Sequence, residues 1–211
     1  HALGGIDDKY YTNSKEALLY NYELGHRAFE VDFSVTSDEK LVCVHDWEHG
    51  AFIQNRGEEK ILTKEEFEGG IIFEKYTPIS VEELLTFMEM HKDIWFVTDT
   101  KDSDPSLVTF EISYIVNTAK TLGIENVLDR IVVQIYNPEM YETVCEIYEF
   151  PSIIFTMYQY WGGDPEKFVD ICRYCAYMNI DIIAMWYYLS GDTGGNRDSR
   201  SFWNRNICAY S

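Results

Sequence analysis

The sequence predicts an α/β fold of parallel strands covered by helices, arranged either as a β/α barrel or as a doubly wound sheet. Two observations carry this expectation. Short runs rich in β-branched and aromatic residues recur at 28–34, 41–46, 94–101, 131–136, 152–158, 181–187 and 206–210, which is the composition of strands. Capped helix starts follow most of these runs, and strand alternating with helix implies parallel pairing through helical crossovers. No repeat, linker or low-complexity tract interrupts the 211 residues, so 1–211 reads as one domain, long enough to bury a proper core.

The helix boundaries are well marked. Thr63-x-x-Glu66 and Ser80-x-x-Glu83 read as capping boxes. Asp104-Pro105, Asn137-Pro138 and Asp164-Pro165 each set a cap residue before a proline at the first helical position. Gly25 and Gly123 stand where helices should stop. One step breaks the alternation, because only residues 35–40 separate the runs at 28–34 and 41–46. That is too short for a parallel crossover, so the segment reads as a hairpin at 28–46, bringing Glu30 and Asp32 across from Cys43 and His45. The stretch from about 49 to 78, with a short helix and loops, reads as an insertion over one rim. The chain begins with His rather than Met and reads as a clipped piece. A first strand is expected upstream of His1 and a closing strand after Ser211, and the compartment stays open.

Composition narrows the partners. The 46% hydrophobic and 25% charged content suits a globular protein, and no apolar run approaches the ~18 residues of a membrane span. With 17 Lys and Arg against 36 Asp and Glu, the formal charge is −19. Nucleic acid is therefore an improbable partner, since backbone phosphates are bound by clustered cations, and an anionic membrane surface is repelled likewise. A phosphate-bearing substrate would need local positive charge, most economically a divalent cation. The five cysteines include Cys172-x-x-Cys175, but no second pair follows at zinc-site spacing, so they read as structural thiols.

Strand periodicity selects the chemistry. Residues two apart share a face, so Glu30 and Asp32 point together between Phe29, Val31 and Phe33, and Asp99 and Lys101 do the same on their run. Carboxylates aimed into a barrel need a partner. Three of them meeting at strand C-terminal ends suit a hard cation such as Mg2+ or Ca2+; the alternative is carboxylates facing water from half-exposed strands. His45 also stands at a strand end, a position where a satisfied bystander is the commoner case. Trp47, Tyr158, Tyr160, Trp161, Trp186, Tyr187 and Tyr188 cluster after strand ends, either lining a pocket or packing beneath loops.

In order, the sequence reads His1-Ala-Leu-Gly-Gly, Tyr11-Thr-Asn-Ser, Glu30-Val-Asp32, Thr36-x-Asp38, Leu-Val-Cys-Val-His45-Asp46, Thr77-Pro78-Ile79 and Asp99-Thr-Lys101. This resembles the glycerophosphodiester phosphodiesterase family, which is similar in turn to phosphatidylinositol-specific phospholipases C and sphingomyelinase D toxins. The resemblance is specific in residues 1–46 and weaker after about 102. It implies a TIM-type (β/α)8 barrel and hydrolysis of a small-molecule glycerophosphodiester to sn-glycerol 3-phosphate and an alcohol. By position it implies one divalent cation, Mg2+ or Ca2+, on Glu30, Asp32 and Asp99, with His1 and His45 as the acid/base pair. Lys101 would hold the phosphate, Asn13 would support the first loop, and Gln134 and Trp186 are further substrate-binding candidates. The chain departs from the family pattern at Ala2, where an Arg is usual, at Thr12, and at Asp99, where Glu is usual. Two other readings stay in play: a phospholipase acting on intact lipid, for which the aromatic cluster would be the evidence, and a silent barrel that only binds phosphorylated ligands, which the Ala2 departure motivates.

Overall fold

The computed structural model describes residues 1–47, 60–158, 165–185 and 207–209. Five parallel strands lie side by side in it: β1 (Ala28–Asp32), β4 (Trp95–Asp99), β5 (Ile131–Ile135), β6 (Ser152–Thr156) and β7 (Ile182–Ala184). The helices between them are α3 (Val81–Met90), α4 (Pro105–Leu122), α5 (Pro138–Ile147) and α6 (Pro165–Met178), with α1 (Lys15–Glu23) and the short α2 (Lys64–Glu68) earlier in the chain. A strand order that follows the sequence, with a helix in each crossover, is the wall of a TIM-type β/α barrel, as expected.

Alternation along the strands sorts the core into two layers. Phe29, Val31, Phe96, Val133, Ile135, Phe155 and Ile183 face the helices and join Leu84, Leu85, Met88, Ile112, Ile115 and Val116 in the main hydrophobic core. The opposite faces meet inside the barrel, where Val132, Ile154 and Ala184 pack with Val97 and Ile182. The helix signals within the described residues form as read, and Asp164, the expected cap of α6, lies outside them. Both capping boxes close, Asp104 and Asn137 accept from the first turns of α4 and α5, and Gly123 ends α4 in the left-handed region at φ 70°. The Arg130 guanidinium then ties the end of α3 to the sheet by donating to the carbonyls of Met88, His91 and Ile94 at 2.8–3.1 Å.

Three expectations need correction. The hairpin is confined to β2 (Ser34–Val35) and β3 (Leu41–Val42); Glu30 and Asp32 pair instead in the parallel β1–β4 ladder, opposite Val97 and Asp99. The chain bends out at Phe33, so His45 comes near them from a loop rather than across a ladder. The strand at 94–101 stops at Asp99, and Lys101 lies in the left-handed region at φ 60°, so a turn and not strand alternation aims its side chain. The last run, β8 (Ile207–Ala209), pairs antiparallel with β7; an antiparallel return needs no crossover helix. Cys172 and Cys175 fall within α6, and Cys43, Cys145, Cys172 and Cys175 are all free thiols.

One buried charge stands apart from the site. Glu111 of α4 is 3% exposed and its Oε2 has no hydrogen-bond partner. Burial, then the charges of Asp102 and Asp99, pushes it up to about 8. An acid whose folded value is raised keeps its proton while the unfolded chain loses it, so it costs stability as pH climbs from the ordinary carboxylate range toward 8. Glu111→Gln should therefore unfold at least about 2 °C above the parent at pH 9, with the gap closing near pH 5. Thermal melts across that range check this, and an equal gap at both ends would contradict it.

Candidate active site

Above the apolar floor, the inward positions turn polar. Glu30 and Asp32 end β1, Asp99 ends β4 beside them in register, and each is at most 4% exposed. One carboxylate oxygen from each lies within 4.8 Å of the others, and one from Asp32 also lies within that distance of a nitrogen of His1 and of His45. The backbone makes this convergence possible. Leu3 N–H donates to the Glu30 carbonyl (3.0 Å) and Phe33 N–H to the Asp99 carbonyl (2.9 Å), locking the first loop and the end of β1 to the ladder.

Each carboxylate has its own support. Glu30 Oε2 accepts from the Ala2 N–H and pairs with His1 Nδ1, both at 2.7 Å, while its Oε1 has no hydrogen-bond partner. Asn13 sits at φ 43° and is fully buried; its Nδ2 donates to Asp32 Oδ2 (2.8 Å) and its Oδ1 accepts from the Asp32 N–H (3.2 Å). It is thus placed behind Asp32, as a clamp. Lys101 bridges Asp32 and Asp99: its ammonium is 2.5 Å from Asp32 Oδ1 and pairs with Asp99 Oδ2. The other Asp99 oxygen accepts from Tyr136 Oη, and Gln134 Nε2 donates to that hydroxyl at 2.7 Å.

The electrostatics follow from this crowding. Burial, then the Asp32 charge, raises Glu30 well above the usual carboxylate range. Burial disfavours a charged His1, but its hydrogen bond to Glu30 and the charges of Glu30 and Asp32 outweigh that and raise it. Both shifts keep a proton on the pair. Burial opposes ionisation of Asp32 too, yet the neighbouring Lys101 charge, with His1 and Asn13, holds it low. Lys101 is raised, its burial overcome by Asp32, Asp99 and Glu30. Three buried carboxylates with one ammonium, and Glu30 Oε1 left unpartnered, fit a bound divalent cation. The ammonium between Asp32 and Asp99 stands where such charge is wanted.

The imidazoles face each other across the mouth. Their ring centroids are 5.9 Å apart, with the Tyr11 ring 4.6 Å from His1 and 4.9 Å from His45, all edge to face. His45 is held through Nδ1 by Asp46 Oδ2 at 2.5 Å. Burial and then the charges of Glu30 and Asp99 push the Tyr158 hydroxyl up to about 12. Trp47 packs on Phe67 and donates to the Val35 carbonyl (3.0 Å), the packing alternative. Tyr160, Trp161, Trp186, Tyr187 and Tyr188 lie outside the described residues.

The sequence reading gives no role to Tyr136, nor to Tyr11 and Asp46, although those two stand in its motifs. Tyr136 was within reach, because it follows Gln134 by two and so shares its face. Tyr11 and Asp46 carry no periodic signal and join the site only through loop geometry.

The profile of the Glycerophosphoryl diester phosphodiesterase family matches residues 5–148, more than half of the chain. The chain belongs to this family. Its members are phosphoric diester hydrolases on a TIM barrel that hydrolyse glycerophosphodiesters with the help of a metal. Among solved structures, a Galdieria sulphuraria protein provisionally described as a glycerophosphodiester phosphodiesterase is 16% identical with a TM-score of 0.68, covering 86% of this chain and 71% of its own. A glycerophosphodiester phosphodiesterase from Parabacteroides distasonis is 16% identical with a TM-score of 0.59, covering 88% of this chain and 81% of its own. An Oleispira antarctica phosphodiesterase, seen with the product sn-glycerol-3-phosphate, is 10% identical with a TM-score of 0.56, covering 81% of this chain and 68% of its own. At such identities these neighbours establish the fold. No curated protein sequence matches significantly. No helix among the described residues is long and apolar enough to cross a membrane.

The amide of Asn13 is the clamp most easily tested. Asn13→Ala leaves Asp32 with a lost donor and acceptor in a buried position and should cost about 1–3 kcal/mol of stability. Urea unfolding in metal-free buffer measures it, and an unchanged midpoint would show that Asp32 does not depend on this contact.

Proposed function

We propose that the chain hydrolyses glycerophosphodiesters to sn-glycerol 3-phosphate and an alcohol at the mouth of the barrel. In this reading Glu30, Asp32 and Asp99 hold one Mg2+ or Ca2+, and His1 and His45 transfer the protons. The observation that carries it is the convergence of three buried carboxylate groups from the ends of two adjacent strands, with an imidazole on either side.

A bound divalent cation would neutralise and position the phosphate as charge gathers on its oxygens. The chain's own residues do the rest. Lys101, whose side chain is 31% exposed while its ammonium lies against the carboxylates, meets a phosphate oxygen from the mouth. One imidazole accepts the proton of the attacking oxygen and the other protonates the departing alkoxide. Two histidines suit both duties because imidazole exchanges protons near neutral pH. Their Nδ1 contacts to Glu30 and Asp46 orient the rings, so Nε2 of each is the atom that takes or gives the proton. Ala2 supplies a backbone N–H to Glu30 in place of any side-chain contact, so the missing guanidinium leaves the carboxylate frame standing.

Turnover of glycerophosphocholine in added Mg2+ or Ca2+ tests the reading, with chelation expected to abolish it. His45→Ala should lower turnover by about 10²–10⁴-fold while circular dichroism and the unfolding midpoint stay near those of the parent. Undiminished turnover in a folded His45→Ala protein would remove the histidine pair from the mechanism.

A further inference from the structure

We infer that the Tyr11 ring is a spacer, a positioning residue that holds the His1 and His45 imidazoles apart and in working orientation. The inference rests on the proton transfers proposed for that pair and adds the group that keeps both rings available for them.

The three rings close a triangle. Tyr11 stands 4.6 Å from His1 at an interplanar angle of 82° and 4.9 Å from His45 at 69°, and the imidazoles are 5.9 Å apart at 89°. Edge-to-face contacts at such separations are favourable in themselves. A nitrogen of each imidazole already lies within 4.8 Å of one on the other. A modest lean of either ring would bring the two into hydrogen-bonding range.

That collapse is the state an acid/base pair has to avoid. While one imidazole carries the proton to be given, the other must be able to take one. A protonated imidazole donates and a neutral one accepts, so the working pair is also the pair most inclined to bond to itself. Rings joined in this way share a proton, and neither serves the substrate. Glu30 and Asp46 do not prevent it, because each acts at Nδ1 and not at the nitrogen that transfers the proton. A ring wedged against both imidazoles does.

The chain fixes Tyr11 where a spacer is needed. Thr12, Asn13 and Ser14 follow it directly and are all buried. The Asn13 N–H donates to the Ala2 carbonyl (3.3 Å), while its side chain clamps Asp32. Ser14 caps α1, and the Lys15 N–H donates to the Thr77 carbonyl at 3.0 Å. Tyr11 itself stays 43% exposed, and its hydroxyl hydrogen-bonds to none of the described residues. The side chain therefore neither fills the core nor uses its polar atom, although its backbone is firmly held. Its ring contacts with the two imidazoles are what the position provides.

The experiment compares the parent with Tyr11→Phe and Tyr11→Ala on glycerophosphocholine and on the p-nitrophenyl ester of glycerol phosphate, with Mg2+ present. The nitrophenolate departs without a proton, so its release draws less on an imidazole acid. Tyr11→Ala should lower kcat for glycerophosphocholine by about 10–10²-fold, with KM within about twofold of the parent. The loss on the nitrophenyl ester should be distinctly smaller. Tyr11→Phe, which keeps the ring, should stay within about threefold of the parent. With Mg2+ and no substrate, proton NMR cross-peaks between the His1 and His45 rings should strengthen in Tyr11→Ala as the rings close. An unchanged kcat in Tyr11→Ala overturns the spacer, as does an equal loss in Tyr11→Phe. So does a loss confined to KM, or one of the same size on both substrates. Unchanged cross-peaks overturn it as well, and they decide even where the parent hydrolyses neither compound, a result that removes the proposed reaction alone. Should Tyr11→Ala fail to fold, Tyr11→Val takes its place in each comparison.

Discussion

Burying three carboxylates side by side at one end of a barrel is the constraint to which the rest of this chain answers. Left alone, such charges repel one another and would not stay desolvated. Every neighbour of Glu30, Asp32 and Asp99 is a response to that problem. The Ala2 amide and the His1 ring serve Glu30, the Asn13 amide serves Asp32, and the Tyr136 hydroxyl serves Asp99. The Lys101 ammonium lies between two of them. The same partners fix the carboxylates in direction, which a metal-binding group requires. Stability and proposed chemistry therefore draw on one set of contacts.

The division of the barrel interior into an apolar floor and a polar upper layer has the same origin. Val97, Val132, Ile154, Ile182 and Ala184 fill the lower level, where no solvent or ligand compensates a polar group. One strand step higher, the inward positions become Asp99, Gln134 and Thr156. Function in a β/α barrel collects at strand C-terminal ends because only there can loops bring further groups to the charges. Here the loops deliver His1, Tyr11, His45 and Lys101.

How much of this was legible in the sequence depended on whether a residue obeys a period. Glu30, Asp32 and Gln134 sit on strands, and alternation alone puts each on the inward face. Caps and prolines likewise fixed where α2 to α5 begin, because those signals act within one turn of chain. Residues brought by loops were legible only as types. Nothing local in the sequence says that Lys101 adopts φ 60° and turns back on Asp99, or that Tyr11 stands between two histidines. The hairpin was overextended for a related reason: its composition continues through 28–46, but tertiary pairing with β4 claims β1. Local propensity does not report which neighbour a strand will choose.

The bridging ammonium of Lys101 has a consequence for how the protein is made. A chain that carries its own placeholder cation at the most anionic point of its interior does not need an ion from the surroundings to complete assembly. The polypeptide can then reach its compact shape whether or not a metal is at hand.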